Sequence, residues 1–165
     1  MKAPGYADLL RSNKSYRLLW TGQVISFFGD WFKSIALYTI VQEMTGSAQA
    51  IAGVLVALLL PIFLVMPIAG PLVDKFDRRK LLIFTDVARA ICAPFLVLAH
   101  HLNSLPMLFG VLVLMVGFSG IFIPARSAVI PQITSKEELP VAMALSGGSW
   151  SVMLAVGAAT GGIVT

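Results

Sequence analysis

Two pairs of opposite charges lie within apolar sequence, where an isolated charge is costly. Asp30 and Lys33 are three residues apart, and Asp86 and Arg89 repeat that spacing. On a helix, residues three apart lie on one face and can form an ion pair. A charge at mid-membrane costs about 2.5–3.5 kcal/mol on insertion scales, so it must face a cavity or a partner. These four residues are therefore the strongest candidates for chemistry.

The first pair belongs to a longer polar face. Gln23 and Ser26 precede Asp30 and Lys33 at helical spacing, which predicts one polar stripe along one helix. Gln23, Asp30 and Lys33 are therefore candidate proton- or substrate-binding residues in a water-filled cavity. The alternative is a local Asp30–Lys33 pair that only neutralises itself.

The second pair lies in another apolar run and has its own alternatives. Asp86 is close enough to the predicted end of its helix to pair with nearby basic residues, whereas Arg89 lies deeper and needs a partner. We interpret Asp86 and Arg89 as an intramembrane ion pair. Its role is either structural or that of a conformational latch.

The densest charge run has six ionisable side chains between Asp74 and Lys80. It lies between apolar runs at 48–69 and 81–99. This arrangement predicts a short basic loop, within Gly70 to Lys80, that connects two transmembrane helices.

Composition sets the broad class. The chain has 165 residues, of which 58% are hydrophobic and 12% charged, and its mean hydropathy is +0.87. A soluble domain carries about twice that charge. We therefore interpret the basic residues by their positions in the chain, as determinants of membrane topology. The net charge of +4 gives no reason to expect a nucleic-acid partner. Neither a metal site nor a cofactor is predicted, and no catalytic constellation favours an enzyme.

Five apolar runs are long enough to cross a bilayer core of about 30 Å. The fold class is therefore all-α and integral to the membrane, with a tail at 1–17 and a helical bundle at 18–165. The expected spans are 18–42, 48–69, 81–99, 105–127 and 141–165. Lys and Arg concentrate in the tail and the even-numbered loops, which predicts a multi-pass protein of the plasma or inner membrane with a cytoplasmic N-terminus.

The charged loop resembles a known family signature. Gly70, Asp74, Lys75, Arg78 and Arg79 are similar to the signature between helices two and three of the major facilitator superfamily. Asp77 stands where that signature has glycine, so the turn must form without glycine's conformational freedom.

Two other segments support the resemblance. The sequence from Ser15 to Trp31 looks like the start of the exporter branch that contains enterobactin and macrolide efflux proteins. Gly157, Gly161 and Gly162 are similar to the glycine-rich antiporter signature of helix five, although Ala158 replaces its proline.

The resemblance implies a secondary transporter that exports small molecules by alternating access, often in exchange for protons. It implies that Asp74 and Arg78 latch the cytoplasmic side, and that the substrate is drug-, siderophore- or lipid-like. The family fold has twelve helices in two halves, so five helices make a partial N-terminal half that we expect to be inactive alone. The alternative is a membrane scaffold or interaction subunit, packed in the lipid bilayer against a partner chain that supplies the missing helices.

Overall fold

Helices make up almost the whole of the computed structural model, which describes residues 5–164. Six helices follow one another within that range: α1 (Tyr6–Ser12), α2 (Lys14–Thr45), α3 (Ala48–Lys75), α4 (Arg78–His101), α5 (Leu105–Ile133) and α6 (Leu139–Val164). Five of them, α2 to α6, are long and apolar enough to cross a membrane. The predicted all-α fold with five membrane-spanning helices is confirmed.

The long helices extend beyond the apolar runs that predicted them. The run at 18–42 belongs to a helix from Lys14 to Thr45, and the run at 81–99 to a helix from Arg78 to His101. Hydropathy marks only the part of a helix that suits the hydrocarbon core, whereas backbone hydrogen bonding continues into the polar region. The tail at 1–17 contains α1, while residues 1–4 and Thr165, the last residue of the fifth expected span, lie outside the described residues.

The connection between α3 and α4 is shorter than the predicted loop. Only Phe76 and Asp77 separate the two helices, and Gly70 lies within α3. Asp77 has extended backbone angles, φ −61° and ψ 116°, and its Oδ1 accepts a hydrogen bond from the Lys80 N–H at 2.9 Å. An aspartate in this capping position stabilises a helix by about 1 kcal/mol. The turn thus uses a helix cap at the position where the resembled signature has glycine.

The described chain divides into two compact units. Among the described residues, the first unit comprises 5–36 and 129–164, and its buried core consists of Leu9, Tyr16, Ile130 and Ala142. The second unit is Leu37–Ala128. Its larger buried core is formed by Leu37, Val41, Val54, Ala57, Leu96, Ala99, Leu108, Leu112, Met115 and Val116.

Candidate functional site

The predicted charge pair of the first unit is formed. Lys33 Nζ lies 3.0 Å from Asp30 Oδ1, and the side chains are 17% and 34% exposed, respectively. Ser34 Oγ donates a hydrogen bond to the Asp30 carbonyl at 2.8 Å. Asp30 is 16 residues after the start of α2, or about 24 Å along a helix of about 48 Å. A partly accessible carboxylate with an ammonium partner therefore lies midway along a membrane span.

Gln23 takes part in a different contact. Its side chain is buried, with 3% exposure. Ser146 Oγ donates to Gln23 Oε1 at 3.0 Å, and Gln23 Nε2 donates to the Ser146 carbonyl at 3.3 Å. Both ends of the amide are therefore bound to α6. A role for Gln23 in proton or substrate binding stays a prediction, and it would require the amide to leave Ser146.

These bonds belong to a longer contact, the α2–α6 seam, which also includes Tyr16, Trp20, Trp31 and Trp150. Tyr16 Oη donates to the Ala142 carbonyl at 2.7 Å, and Trp20 Nε1 donates to Ser149 Oγ at 2.8 Å. The rings of Trp31 and Trp150 meet edge to face, with their centroids 5.5 Å apart. Hydrogen bonds that satisfy polar side chains between two helices are favourable in lipid, where water cannot replace them. The seam fixes the helix that carries Asp30 and Lys33.

Two glycines of the predicted helix-five motif allow the seam to close. A Cβ atom on Gly157 would lie 2.6 Å from Trp31 Cβ, and one on Gly161 would lie 2.8 Å from Ile35 Cβ. Both distances are below 3.0 Å, which is closer than a Cβ atom approaches another carbon atom in a folded protein. These two positions therefore admit only glycine at this helix separation. A Cβ atom on Gly162 would meet no atom of another described helix within 4 Å. The motif therefore has two packing members and one that faces away from the seam.

The predicted gate residues surround the α3–α4 turn of the second unit. Arg78 Nη2 lies 3.7 Å from Asp74 Oδ1, and Arg78 Nη1 donates to the Ala128 carbonyl on α5 at 3.4 Å. The Asp74 side chain is 79% exposed. Lys75 Nζ lies 5.9 Å from the centroid of the Phe76 ring, and Arg79 is exposed. Arg78 thus links three helices while Asp74 presents its carboxylate outward.

The second predicted pair is also present but is held differently. Arg89 Nη1 lies 3.6 Å from Asp86 Oδ1, and the Arg89 side chain is 10% exposed. The guanidinium carbon lies 5.6 Å from the centroid of the Phe122 ring, within range of a cation–π interaction. Phe84 and Phe118 make a further edge-to-face contact between α4 and α5. Arg89 is therefore part of a packed helix interface.

Sequence reasoning missed the α6 half of the seam. Ser146, Ser149 and Trp150 lie in an apolar run and were not distinguishable from packing residues. Their spacing of three and four was the available signal, because it matches that of Tyr16, Trp20 and Gln23 on α2. A pair of matching polar stripes indicates two helices that hydrogen-bond to each other.

Comparisons with known proteins agree with this architecture. Residues 5–165 match the family described as transmembrane secretion effector. The chain is 33% identical to BacE of Bacillus subtilis, a candidate bacilysin exporter, over 93% of this chain and 38% of BacE. It is 29% identical to macrolide efflux protein A of Streptococcus pyogenes, over 73% of this chain and 30% of that protein.

A third relative is an uncharacterized major facilitator-type transporter of Bacillus subtilis, YfiS. It is 24% identical over 84% of this chain and 33% of its own length. The chain thus spans about a third of the length of these curated relatives. No solved structure matches it at a significant level.

Proposed function

The chain belongs to the transmembrane secretion effector family of major facilitator transporters, and on that premise we propose that it forms part of a small-molecule exporter. The protein is an integral membrane protein of a class that transports solutes and does not catalyse reactions. The names of two relatives, a candidate bacilysin exporter and a macrolide efflux protein, support export as the direction of transport. The proposed substrates are amphipathic small molecules such as drugs, siderophores or lipid-like compounds.

The Asp30–Lys33 pair is the observation that carries this proposal. Its contact is 3.0 Å, it lies midway along α2, and one third of the Asp30 side chain remains accessible. Ionisable residues inside membrane spans mark ion or substrate pathways. We assign Asp30 as the group that takes up and releases a proton, and Lys33 as its counter-ion.

The α3–α4 turn supplies the proposed gate. Arg78 is held between Asp74 and the Ala128 carbonyl, so its position is fixed from two sides. Asp74 is left exposed and is therefore available to a facing surface in one conformation and to water in the other. This pattern supports a latch that alternates with the state of the transporter. We propose that it lies on the cytoplasmic side, together with the N-terminus, in the inner membrane.

The proposal is tested by flux through the transporter to which the chain contributes. Membrane vesicles from cells that express the protein in its native context are loaded with a labelled macrolide, and efflux is driven by an imposed pH gradient. We expect Asp30→Asn to lower this flux at least tenfold, because the amide cannot carry a proton.

The matched control is Asp86→Asn, which makes the same chemical change in a pair with the same spacing. We expect this variant to retain the pH dependence of the wild type. Equal pH dependence in Asp30→Asn and wild type would remove Asp30 from the transport cycle.

A further inference from the structure

Three cations surround the junction between α1 and α2, and all three are exposed: Arg11, Lys14 and Arg17. We infer that this basic junction binds the headgroup of an anionic phospholipid. The junction shares no residue with the charge pairs or the α3–α4 turn, and lipid binding there is independent of the direction and the coupling of transport.

The junction has an excess of positive charge without ion-pair partners. Among the described residues, no carboxylate lies within ion-pairing distance of Arg11, Lys14 or Arg17. Two acids lie near the junction: Asp8, whose Oδ2 accepts a hydrogen bond from the Gly5 N–H at 3.2 Å, and Glu138, whose Oε2 accepts from the Ser135 N–H at 2.9 Å and from Asn13 Nδ2 at 3.2 Å. Three cations are thus available to an external anion.

The face of α2 that follows the junction is exposed and apolar. Leu18 lies four residues after Lys14, and Ile25 lies seven residues after Leu18. The three residues therefore form one stripe along the helix. Leu18 and Ile25 are 64% and 68% exposed. A helix of 32 residues, about 48 Å, extends beyond a hydrocarbon core of about 30 Å, and we place its basic first turn at the level of the headgroups. Lys14 therefore meets a phosphodiester where acyl chains can run along Leu18 and Ile25.

The backbone that carries the three cations is held in place by hydrogen bonds and by a buried side chain. Asn13 Oδ1 accepts from the Tyr16 N–H at 3.0 Å, while Asn13 Nδ2 donates to the Ile133 carbonyl at 2.7 Å and to Glu138 Oε2 at 3.2 Å. Leu9 of α1 is completely buried. These contacts hold the junction against the end of α5 and the start of α6. Fixed positions reduce the entropy lost when a ligand binds.

The Arg17 side chain is also positioned by a hydrogen bond to α1. Its Nη1 donates to the Leu10 carbonyl at 3.4 Å, which brings the guanidinium next to the last turn of α1. Arg11 follows Leu10 in the same turn, so both cations belong to the same short segment of the junction. A phosphate that approaches this segment gains charge-assisted hydrogen bonds.

A membrane lipid fits these features better than a soluble polyanion. The cations continue directly into an exposed apolar stripe, which matches a molecule with a phosphate at one end and acyl chains at the other. Basic residues next to a membrane span attract anionic lipids, and each contributes about fivefold to the affinity. Nucleic acid would use the cations but not Leu18 or Ile25.

The experiment measures binding of acyl-labelled phosphatidylglycerol to the purified 165-residue chain in neutral detergent micelles, by fluorescence anisotropy. Labelled phosphatidylcholine is the lipid control. We expect phosphatidylglycerol to bind at least tenfold more tightly than phosphatidylcholine. In the triple variant R11Q/K14Q/R17Q, this preference should be lost, so that phosphatidylglycerol binds with the affinity of phosphatidylcholine.

The α3–α4 turn provides a matched control, because both basic segments carry a net charge of +2. Residues 8–17 hold three cations and one carboxylate, and residues 74–80 hold four cations and two carboxylates. The variant K75Q/R79Q/K80Q loses the same charge and should keep the preference for phosphatidylglycerol. If the triple junction variant does not fold, the single variant Lys14→Gln should still lower affinity about fivefold.

Three results would overturn the proposal. The first is equal affinity of the wild-type chain for the two lipids. The second is an equal loss of affinity in the two triple variants, which would indicate general electrostatic attraction. The third is complete displacement of the lipid by millimolar inorganic phosphate, which would show a site for a free anion and not for a lipid.

Discussion

The two charge pairs have the same spacing but different surroundings. Asp30 and Lys33 make a direct contact of 3.0 Å, whereas Asp86 and Arg89 are 3.6 Å apart and Arg89 rests on the Phe122 ring. Lys33 can leave Asp30 without breaking an aromatic contact that the structure shows, while Arg89 must give up such a contact. A shared sequence pattern therefore does not imply shared surroundings, and we expect the Asp30–Lys33 pair to open more readily than the Asp86–Arg89 pair.

Each of the two units that contain these pairs is stabilised internally by a different kind of contact. The first unit relies on hydrogen bonds and close backbone approach along the α2–α6 seam. The second unit relies on a core of ten buried apolar residues and on aromatic contacts between α4 and α5. Substitutions that address one kind of contact should therefore affect one unit more than the other.

The largest effect is expected at Gly157. A leucine there would place its Cβ 2.6 Å from Trp31 Cβ and 3.3 Å from the Phe28 carbonyl oxygen, so α2 and α6 must separate. Overpacking of this kind costs about 3 kcal/mol. We expect Gly157→Leu to lower the thermal unfolding temperature of the chain in detergent micelles strongly, as followed by circular dichroism.

The control for this experiment lies on the same helix. Gly162→Leu adds the same side chain where, among the described residues, no atom beyond its own stretch of helix lies within 4 Å of the added Cβ, and its cost should stay within about 0.5 kcal/mol. Equal destabilisation by the two leucines would show that the seam is not the contact that limits stability in the first unit.

A smaller effect is expected at Phe122. Phe122→Leu removes the ring beneath Arg89 while keeping an apolar side chain, and we expect it to cost about 1 kcal/mol through the lost cation–π contact. Phe28→Leu is the counterpart in the first unit, where the ring is 37% exposed and stacks on Phe32 at 6.1 Å. It should cost less than half as much in the same unfolding measurement. If Phe28→Leu costs as much or more, Arg89 is not held by its aromatic contact.

The features that the sequence predicts correctly are those that depend on local spacing. The five membrane-spanning helices follow from hydropathy, and both ion pairs follow from residues three apart on a helix. The side that Gln23 faces depends instead on Ser146, which lies 123 residues later, and on the register between α2 and α6. The spacing within α2 contains no information about that register, so Gln23 could be grouped with Asp30 but not assigned to the seam.

The same limit applies to the turn and the junction. Asp77 departs from the resembled signature, and only its backbone angles and its bond to Lys80 show that it caps α4. Asn13 contacts Ile133 and Glu138, which are 120 and 125 residues away in the chain. A polar residue in a basic tail gives no local sign of such a long-range contact.

The central claim is that the Asp30–Lys33 pair takes part in transport and does not merely neutralise itself. The most direct test exchanges the two residues in Asp30→Lys/Lys33→Asp, which keeps an ion pair of the same spacing but moves the carboxylate by three positions along α2. We predict that this variant folds and inserts like the wild type but loses at least nine-tenths of the macrolide flux driven by a pH gradient. Wild-type flux through the exchanged pair would contradict the claim, because a pair that only neutralises itself needs the two charges but not their order.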